Sequence, residues 1–274
     1  MNAPLTERLI RFQHPEKILG YLGVLDDERL AALFGLDVGS YRRLRRTHAD
    51  RAAEAAGELL AEPGFAAKVD RLPFAPGQRI AALGESTTDD LLSWFEILRH
   101  LLLLRRPEDG ITPVNLAVGG QTTTQALAAL PALGFQAPDW VLCMFGGNDV
   151  QRSGPDGPTV VSLSETERNL GVLREEAARR FSARWVWLTP SPVDEARVAA
   201  YPPFRRARLH WRNTDLAAVS RFLTSLPDTT VDTVAALARR PGVDTHLEDG
   251  LHLSLRGQQA LAAALVEALA DGPS

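Results

Sequence analysis

From residue 79 onward the chain repeats one pattern: a short apolar run, a loop carrying glycine or polar residues, then a segment of helical period. The runs fall at 79–83, 114–118, 140–145 and 185–188, with a weaker one at 230–234. Helical segments are expected near 89–105, 123–133 and 165–181, then in a stretch ending about 226. A closing segment at 255–269 puts Leu261, Leu265 and Leu269 on one stripe, as an amphipathic helix does. Strands that alternate with helices pair in parallel, because each crossover returns the chain to the same end of the sheet. The expected fold class is therefore α/β, a parallel sheet with helices on both faces.

Residues 1–76 read differently. Leu25, Leu30, Leu33 and Phe34 recur at helical spacing after Asp26 and Asp27, and a second helical segment, 40–60, is rich in Ala and Arg. The punctuation Pro73-Phe74-Ala75-Pro76-Gly77 separates this part from the strands, so the expected division is a helical N-terminal extension, 1–76, and a main domain, 77–274. Residues 30–43 place a glycine turn before an arginine-bearing helix, superficially a helix-turn-helix. Asp50, Glu54 and Glu58 follow on the same segment and the net charge is −4, so no nucleic-acid partner is expected. The extension is read as an arm packed on the main domain, on a second copy of the chain in a homo-oligomer, or over the mouth of a site.

The single cysteine, Cys143, excludes an internal disulfide framework and a cysteine-rich zinc site. It lies in an apolar run and reads as a small core residue. The first residues lack a basic stretch followed by an apolar run, and no apolar run approaches the ~18 residues that span a bilayer. A cytoplasmic protein without a membrane span is expected.

In an open parallel sheet, ligands bind beyond the carboxyl ends of the strands. Four loops there carry polar residues. The first is Gly84-Glu85-Ser86; the second runs from Asn115 to Gly119-Gly120-Gln121; the third is Gly146-Gly147-Asn148-Asp149; and the fourth, before the closing helix, is Asp249-Gly250-Leu251-His252. Singly they are weak signals, since serine caps helices and Gly-Gly-Asn-Asp makes turns. In this order, over about 79–270, they resemble the SGNH hydrolases, also called GDSL-like esterases and lipases.

That resemblance implies a flavodoxin-like three-layer sandwich and a catalytic set of Ser86, His252 and Asp249. Its oxyanion donors would be the backbone N–H groups of Ser86 and Gly120 and the side-chain amide of Asn148. Gly120 is preferred to Gly119 because it lies five residues after Asn115, where the family's second block has its glycine. The chemistry fits the residue types. A serine hydroxyl is a poor nucleophile until an imidazole accepts its proton, and the imidazole needs an acid to fix its tautomer. A tetrahedral intermediate needs fixed donors for its charged oxygen. Two departures stand out: Glu85 where the family usually has Asp, and Ala117 where a second glycine is common. They put turn geometry in question more than chemistry.

The other histidines, His14, His48, His100, His210 and His246, read as structural, and His246 with His252 lacks a third ligand at metal-site spacing. Val118-Gly119-Gly120 is neither a phosphate loop nor a dinucleotide fingerprint, so no metal or cofactor is expected. Trp94 and Phe95 read as core, while Arg197, Arg205, Arg206 and Arg208 are candidates to meet an anionic part of a substrate. The expected activity is hydrolysis of a small-molecule carboxylic (acyl or acetyl) ester through an acyl-enzyme. The alternatives are acyl transfer to a sugar or other alcohol, and a DNA- or partner-binding protein working through the helical extension.

Overall fold

The computed structural model describes residues 3–128, 130–239 and 242–271. Helices α1 (Ala3–Phe12), α2 (Pro15–Ile18), α3 (Asp27–Leu33), α4 (Val38–Leu60) and α5 (Phe65–Asp70) precede the sheet. Asp26 and Asp37 cap α3 and α4 by accepting the N–H of Arg29 and Ser40, which fixes where each helix begins. Then follow β1 (Arg79–Gly84), the single turn α6 (Ser86–Asp89), α7 (Trp94–Arg105), β2 (Thr112–Asn115), α8 (Thr123–Ala128), α9 (Leu130–Gln136) and β3 (Trp140–Met144). The rest runs β4 (Arg152–Ser153), α10 (Leu163–Arg180), β5 (Arg184–Leu188), α11 (Glu195–Ala200), α12 (Pro202–Ala207) and β6 (Leu209–His210). It closes with α13 (Asn213–Ser225), β7 (Thr229–Val231), α14 (Thr233–Ala238) and α15 (Leu255–Ala270).

The main sheet has the order β2–β1–β3–β5–β7 and is parallel throughout, while β4 and β6 form a separate antiparallel ribbon. Side chains alternate along each strand, so one face carries Ile80, Ala82, Leu142, Met144, Val186 and Leu188, and the other Ala81, Leu83, Val141, Cys143, Trp185 and Trp187. Helices α7 and α15 cover the first face and α10 and α13 the second, which makes three layers. Strands buried on both faces carry the near-continuous apolar runs seen in the sequence. Cys143 lies in this core, and burial, with the Glu85 charge beside it, pushes its thiol well above the usual range. Trp94 and Phe95 are core residues as well.

This strand order makes β1 and β3 neighbours although the chain visits β2 between them. Connections leave the sheet on opposite sides there, and a crevice opens at the carboxyl ends of β1 and β3. Ser86 follows β1 and Asn148 follows β3, so the topology sets both at that crevice.

Two elements differ from the expectation, each for a local reason. The segment expected as one helix over 89–105 is a turn at Ser86–Asp89 and a helix from Trp94, capped by Ser93. The break comes at Asp90, whose carboxylate turns to meet Arg11 and the Leu92 N–H. The strand expected over 114–118 is β2 at Thr112–Asn115. Past it the Asn115 side chain folds back, Oδ1 accepting the Ala117 N–H at 3.1 Å and Nδ2 donating to Thr88 O at 2.8 Å, while the Leu116 and Val118 N–H groups still donate to Ala82 O and Gly84 O. The segment expected at 123–133 is helical on both sides of residue 129, over Thr123–Ala128 and Leu130–Gln136.

The N-terminal arm packs on the main sheet's helices: α4 lies against α7 and α15, and Ala55, Ala56, Leu59, Phe65 and Val69 join the core of the first face. Its helix-turn-helix look dissolves into local pairing, since Arg42 meets Asp27, Arg43 meets Ser40, and Tyr41 is buried against Phe34. No helix among the described residues is long and apolar enough to cross a membrane. Leu142, fully buried at the centre of β3, tests the packing: Leu142→Ala should lower the unfolding free energy by about 2–5 kcal/mol in urea titration. A loss below ~1 kcal/mol would mean the site is not close-packed.

Candidate active site

Ser86 opens α6 directly after β1, so its side chain emerges at the sheet's carboxyl edge. His252 Nε2 lies 3.1 Å from Ser86 Oγ, and His252 Nδ1 lies 2.8 Å from Asp249 Oδ2. A carboxylate only accepts, so Nδ1 carries the proton and Nε2 is left to accept from the Ser86 hydroxyl. The loop that presents Asp249 and His252 is closed by Leu247 N–H to His252 O at 2.8 Å and by Gly250 N–H to Leu247 O at 3.0 Å. Asp249 Oδ1 accepts the N–H groups of Leu251 and His252, each at 2.9 Å. Burial opposes ionisation of Asp249, but the bonds from His252 and Leu251 outweigh it and hold the carboxyl well below the usual carboxylate range.

Ser86 and Asn148 line the crevice, and Gly120 follows β2 on the neighbouring loop. The N–H groups of Ser86 and Gly120 meet no acceptor among the described residues. One hydrogen of the Asn148 amide goes to Gln121 O at 2.9 Å, leaving the other free. The Gly119 N–H is occupied, donating to Asp89 Oδ2 at 2.8 Å, which distinguishes it from Gly120. Gly120 adopts a left-handed φ of 82°, a conformation that suits glycine.

Glu85 has a definite task. Its side chain runs under the third loop, where Oε1 accepts the Gly147 N–H and Oε2 the Asn148 N–H, both at 2.9 Å. A Cβ on residue 147 would lie 2.5 Å from Oε1, so glycine is required for this approach. Burial first, then the nearby Asp149 charge, push Glu85 up to about 8 against the pull of those two N–H bonds. Asp149 in turn is raised by burial and receives the Thr123 N–H and hydroxyl and the Thr166 hydroxyl. It thereby ties the third loop to the start of α8. Ala117 is fully buried, and its carbonyl accepts from Lys17 at 2.9 Å.

Of the arginines considered for substrate, Arg197 is a brace. It binds Asp194 and Asp244 and reaches the carbonyls of His246 and Leu247 beside the histidine loop. Trp211, at the end of the Pro- and Arg-rich stretch 190–211, walls the crevice and donates its indole N–H to Gly147 O at 2.9 Å. His246 Nε2 lies 2.9 Å from Pro192 O, and no group of His, Cys, Asp and Glu among the described residues is arranged to hold a metal ion. The N-terminal arm contributes what its sequence did not announce: Arg8 on Asp249, Arg11 on Asp90, and Phe12 against the His252 ring at 4.7 Å. Helical spacing of 8, 11 and 12 was the available signal, without a partner to assign to it.

A family model for GDSL-like lipases and acylhydrolases matches residues 82–260. The chain belongs to that family. It is accordingly a serine hydrolase acting on esters. Among solved structures, a catalytic mutant of Axe2, an acetylxylan esterase from Geobacillus stearothermophilus, is 24% identical with a TM-score of 0.56 over 72% of this chain and 95% of that one. LAE5, an α/β hydrolase enzyme from the metagenome of Lake Arreo, Spain, is 22% identical with a TM-score of 0.55 over 72% of this chain and 96% of that one. At these identities the likeness is one of fold. No curated protein matches the sequence. The family model begins after β1 has started, so α1 to α5 lie outside it.

Glu85 gives a pH test. Its folded carboxyl keeps a proton that the unfolded chain releases above about 4.5, so its stabilisation is complete below that pH and is lost as pH rises towards about 8. Glu85→Gln cannot ionise, and its amide meets one N–H unfavourably, so it starts less stable than the parent. Denaturant titrations should show the parent's advantage shrinking between pH 5 and 8. A pH-independent difference would mean that Glu85 is ionised in the folded protein.

Proposed function

We propose that the protein cleaves a short-chain acyl ester through a covalent acyl-enzyme on Ser86, with His252 as general base and then general acid. The observation that carries this is the unbroken relay from Ser86 Oγ through the His252 ring to the buried Asp249 carboxylate. Ser86 Oγ attacks the ester carbonyl as its proton passes to His252 Nε2. Asp249 holds the ring and balances the imidazolium charge. The carbonyl oxygen, now an oxyanion, is met by the N–H groups of Ser86 and Gly120 and the free amide hydrogen of Asn148. Collapse breaks the bond to the alcohol oxygen, which takes the proton from His252 and leaves. Water then attacks the acyl-enzyme with His252 accepting its proton, and a second collapse frees the acid and restores Ser86.

The size of the crevice supports a short acyl group. Between Ser86, Asn148, Val193, Trp211 and Leu251 the centre of a water-sized molecule has only about 20 Å³ to move in, so the crevice is narrow. An acetyl methyl fits there, whereas a long acyl chain meets the Trp211 wall. The Geobacillus enzyme points the same way: its catalytic mutants replace a serine, an aspartate and a histidine, the last two separated by three positions as Asp249 and His252 are.

Hydrolysis of p-nitrophenyl acetate, butyrate and octanoate by the parent and by Ser86→Ala tests the reading. The parent should prefer acetate to octanoate by at least about tenfold, since a missing or misfit methylene in a tight pocket is worth about 1–3 kcal/mol. Ser86→Ala should lose at least ~10³-fold in kcat and fail to take up a fluorophosphonate label. Turnover retained in Ser86→Ala would remove Ser86 as nucleophile, and a preference for octanoate would remove the short-acyl assignment.

A further inference from the structure

The N-terminal helix supplies a residue to the base of the site. In α1, residues 8, 11 and 12 share one face, while Ile10 points the other way into a cluster with Leu30, Phe34 and Tyr41. That cluster anchors the helix, and the first face then meets the loops of the site. The Arg11 guanidinium grips Asp90 with two bonds, at 2.7 and 2.6 Å, and also reaches Leu253 O at 3.3 Å, next to His252. The Phe12 ring packs on the His252 ring at 47°. Arg8 donates to Asp249 Oδ2, the same oxygen that receives the His252 ring N–H, and to Glu248 Oε1 at 2.9 Å. The Arg8 guanidinium also sits 5.6 Å from the centre of the Tyr201 ring.

The Asp249 side chain is fully buried. A buried carboxylate is stable as an anion only when its oxygens are filled with donors. Three of the four donors belong to its own loop: the Leu251 and His252 N–H groups on Oδ1 and the His252 ring on Oδ2. The fourth, from 241 residues away, is Arg8. Without it Oδ2 keeps only the imidazole N–H, and the side of the carboxylate that faces His252 loses its second restraint.

We propose that Arg8 is a positioning residue for the reaction, holding the Asp249 carboxylate aligned on His252, so that the helical extension is a working part of the active site. This rests on the relay assigned above to Ser86, His252 and Asp249. The extension grips the opposite side of the site too: His14 and Lys17 bind Asp89 Oδ1, and Asp89 Oδ2 fixes the Gly119 N–H beside Gly120.

The test uses the full chain with p-nitrophenyl acetate. Arg8 is 29% exposed and borders a cavity of about 400 Å³, so its replacement leaves room for a small cation to enter from solvent. Arg8→Ala should lose roughly tenfold or more in kcat with KM changed less than about twofold, because alignment of the base rather than substrate binding is lost. Arg8→Lys should retain most of the parent's kcat, and millimolar guanidinium should restore part of it to Arg8→Ala while leaving the parent unchanged. A structural loss alone would appear as a lowered melting temperature that neither lysine nor guanidinium corrects. The proposal is overturned if Arg8→Ala keeps the parent's kcat, or if kcat falls and neither replacement cation restores it. Ser86→Ala, assayed alongside, separates the two readings. If it is dead while Arg8→Ala is unaffected, only the role of Arg8 falls; if it remains active, the relay and the role of Arg8 fall together.

Discussion

The site depends on a carboxylate that water does not reach. Asp249 is buried, and its anion persists because the Leu251 and His252 N–H groups and the His252 imidazole bind its oxygens, with the Arg8 guanidinium against Oδ2. The imidazole tautomer follows from that anion, and the acceptor facing Ser86 follows from the tautomer. Take away the filled carboxylate and neither the ring nor the hydroxyl has a defined role.

The same device recurs around the crevice. Glu85, Asp89, Asp90 and Asp149 are all buried, and each fastens one piece of the site to another. Glu85 holds the third loop under Ser86, Asp89 holds the second loop and the arm, Asp90 holds α1, and Asp149 holds the start of α8. Loops at a sheet edge have few apolar contacts to fix them, whereas a buried acid with several donors is costly to disturb. Loops fastened in this way hold the N–H groups proposed as oxyanion donors in place beforehand, which is the condition for electrostatic stabilisation of a developing charge.

Much of this was legible before any coordinates. The apolar runs marked the strands because parallel strands are buried on both faces, and three of the four loop motifs fell at strand ends, while the fourth lies between α14 and α15. Boundaries were less legible. The breaks at Asp90 and past Asn115 come where side chains turn to meet partners distant in sequence, and a local pattern holds no trace of such partners. Glu85 looked like a departure in turn geometry; its longer side chain is what reaches both N–H groups of the third loop. Trp211 could not be singled out as a wall because it belongs to a Pro-rich excursion whose path is set by packing rather than period.

By itself, the sequence determined the α/β class, the positions of the strands, and the polar residues that end them, because periodicity and turn chemistry are local properties of the chain. Tertiary structure alone decided which of those residues touch. Ser86 and His252 are 166 positions apart and Arg8 and Asp249 are 241 apart, and only the strand order and the docking of α1 close those distances. The physical reason is that a hydrogen bond needs a geometry within a few tenths of an ångström, and that precision comes from the packed layers and not from residue type.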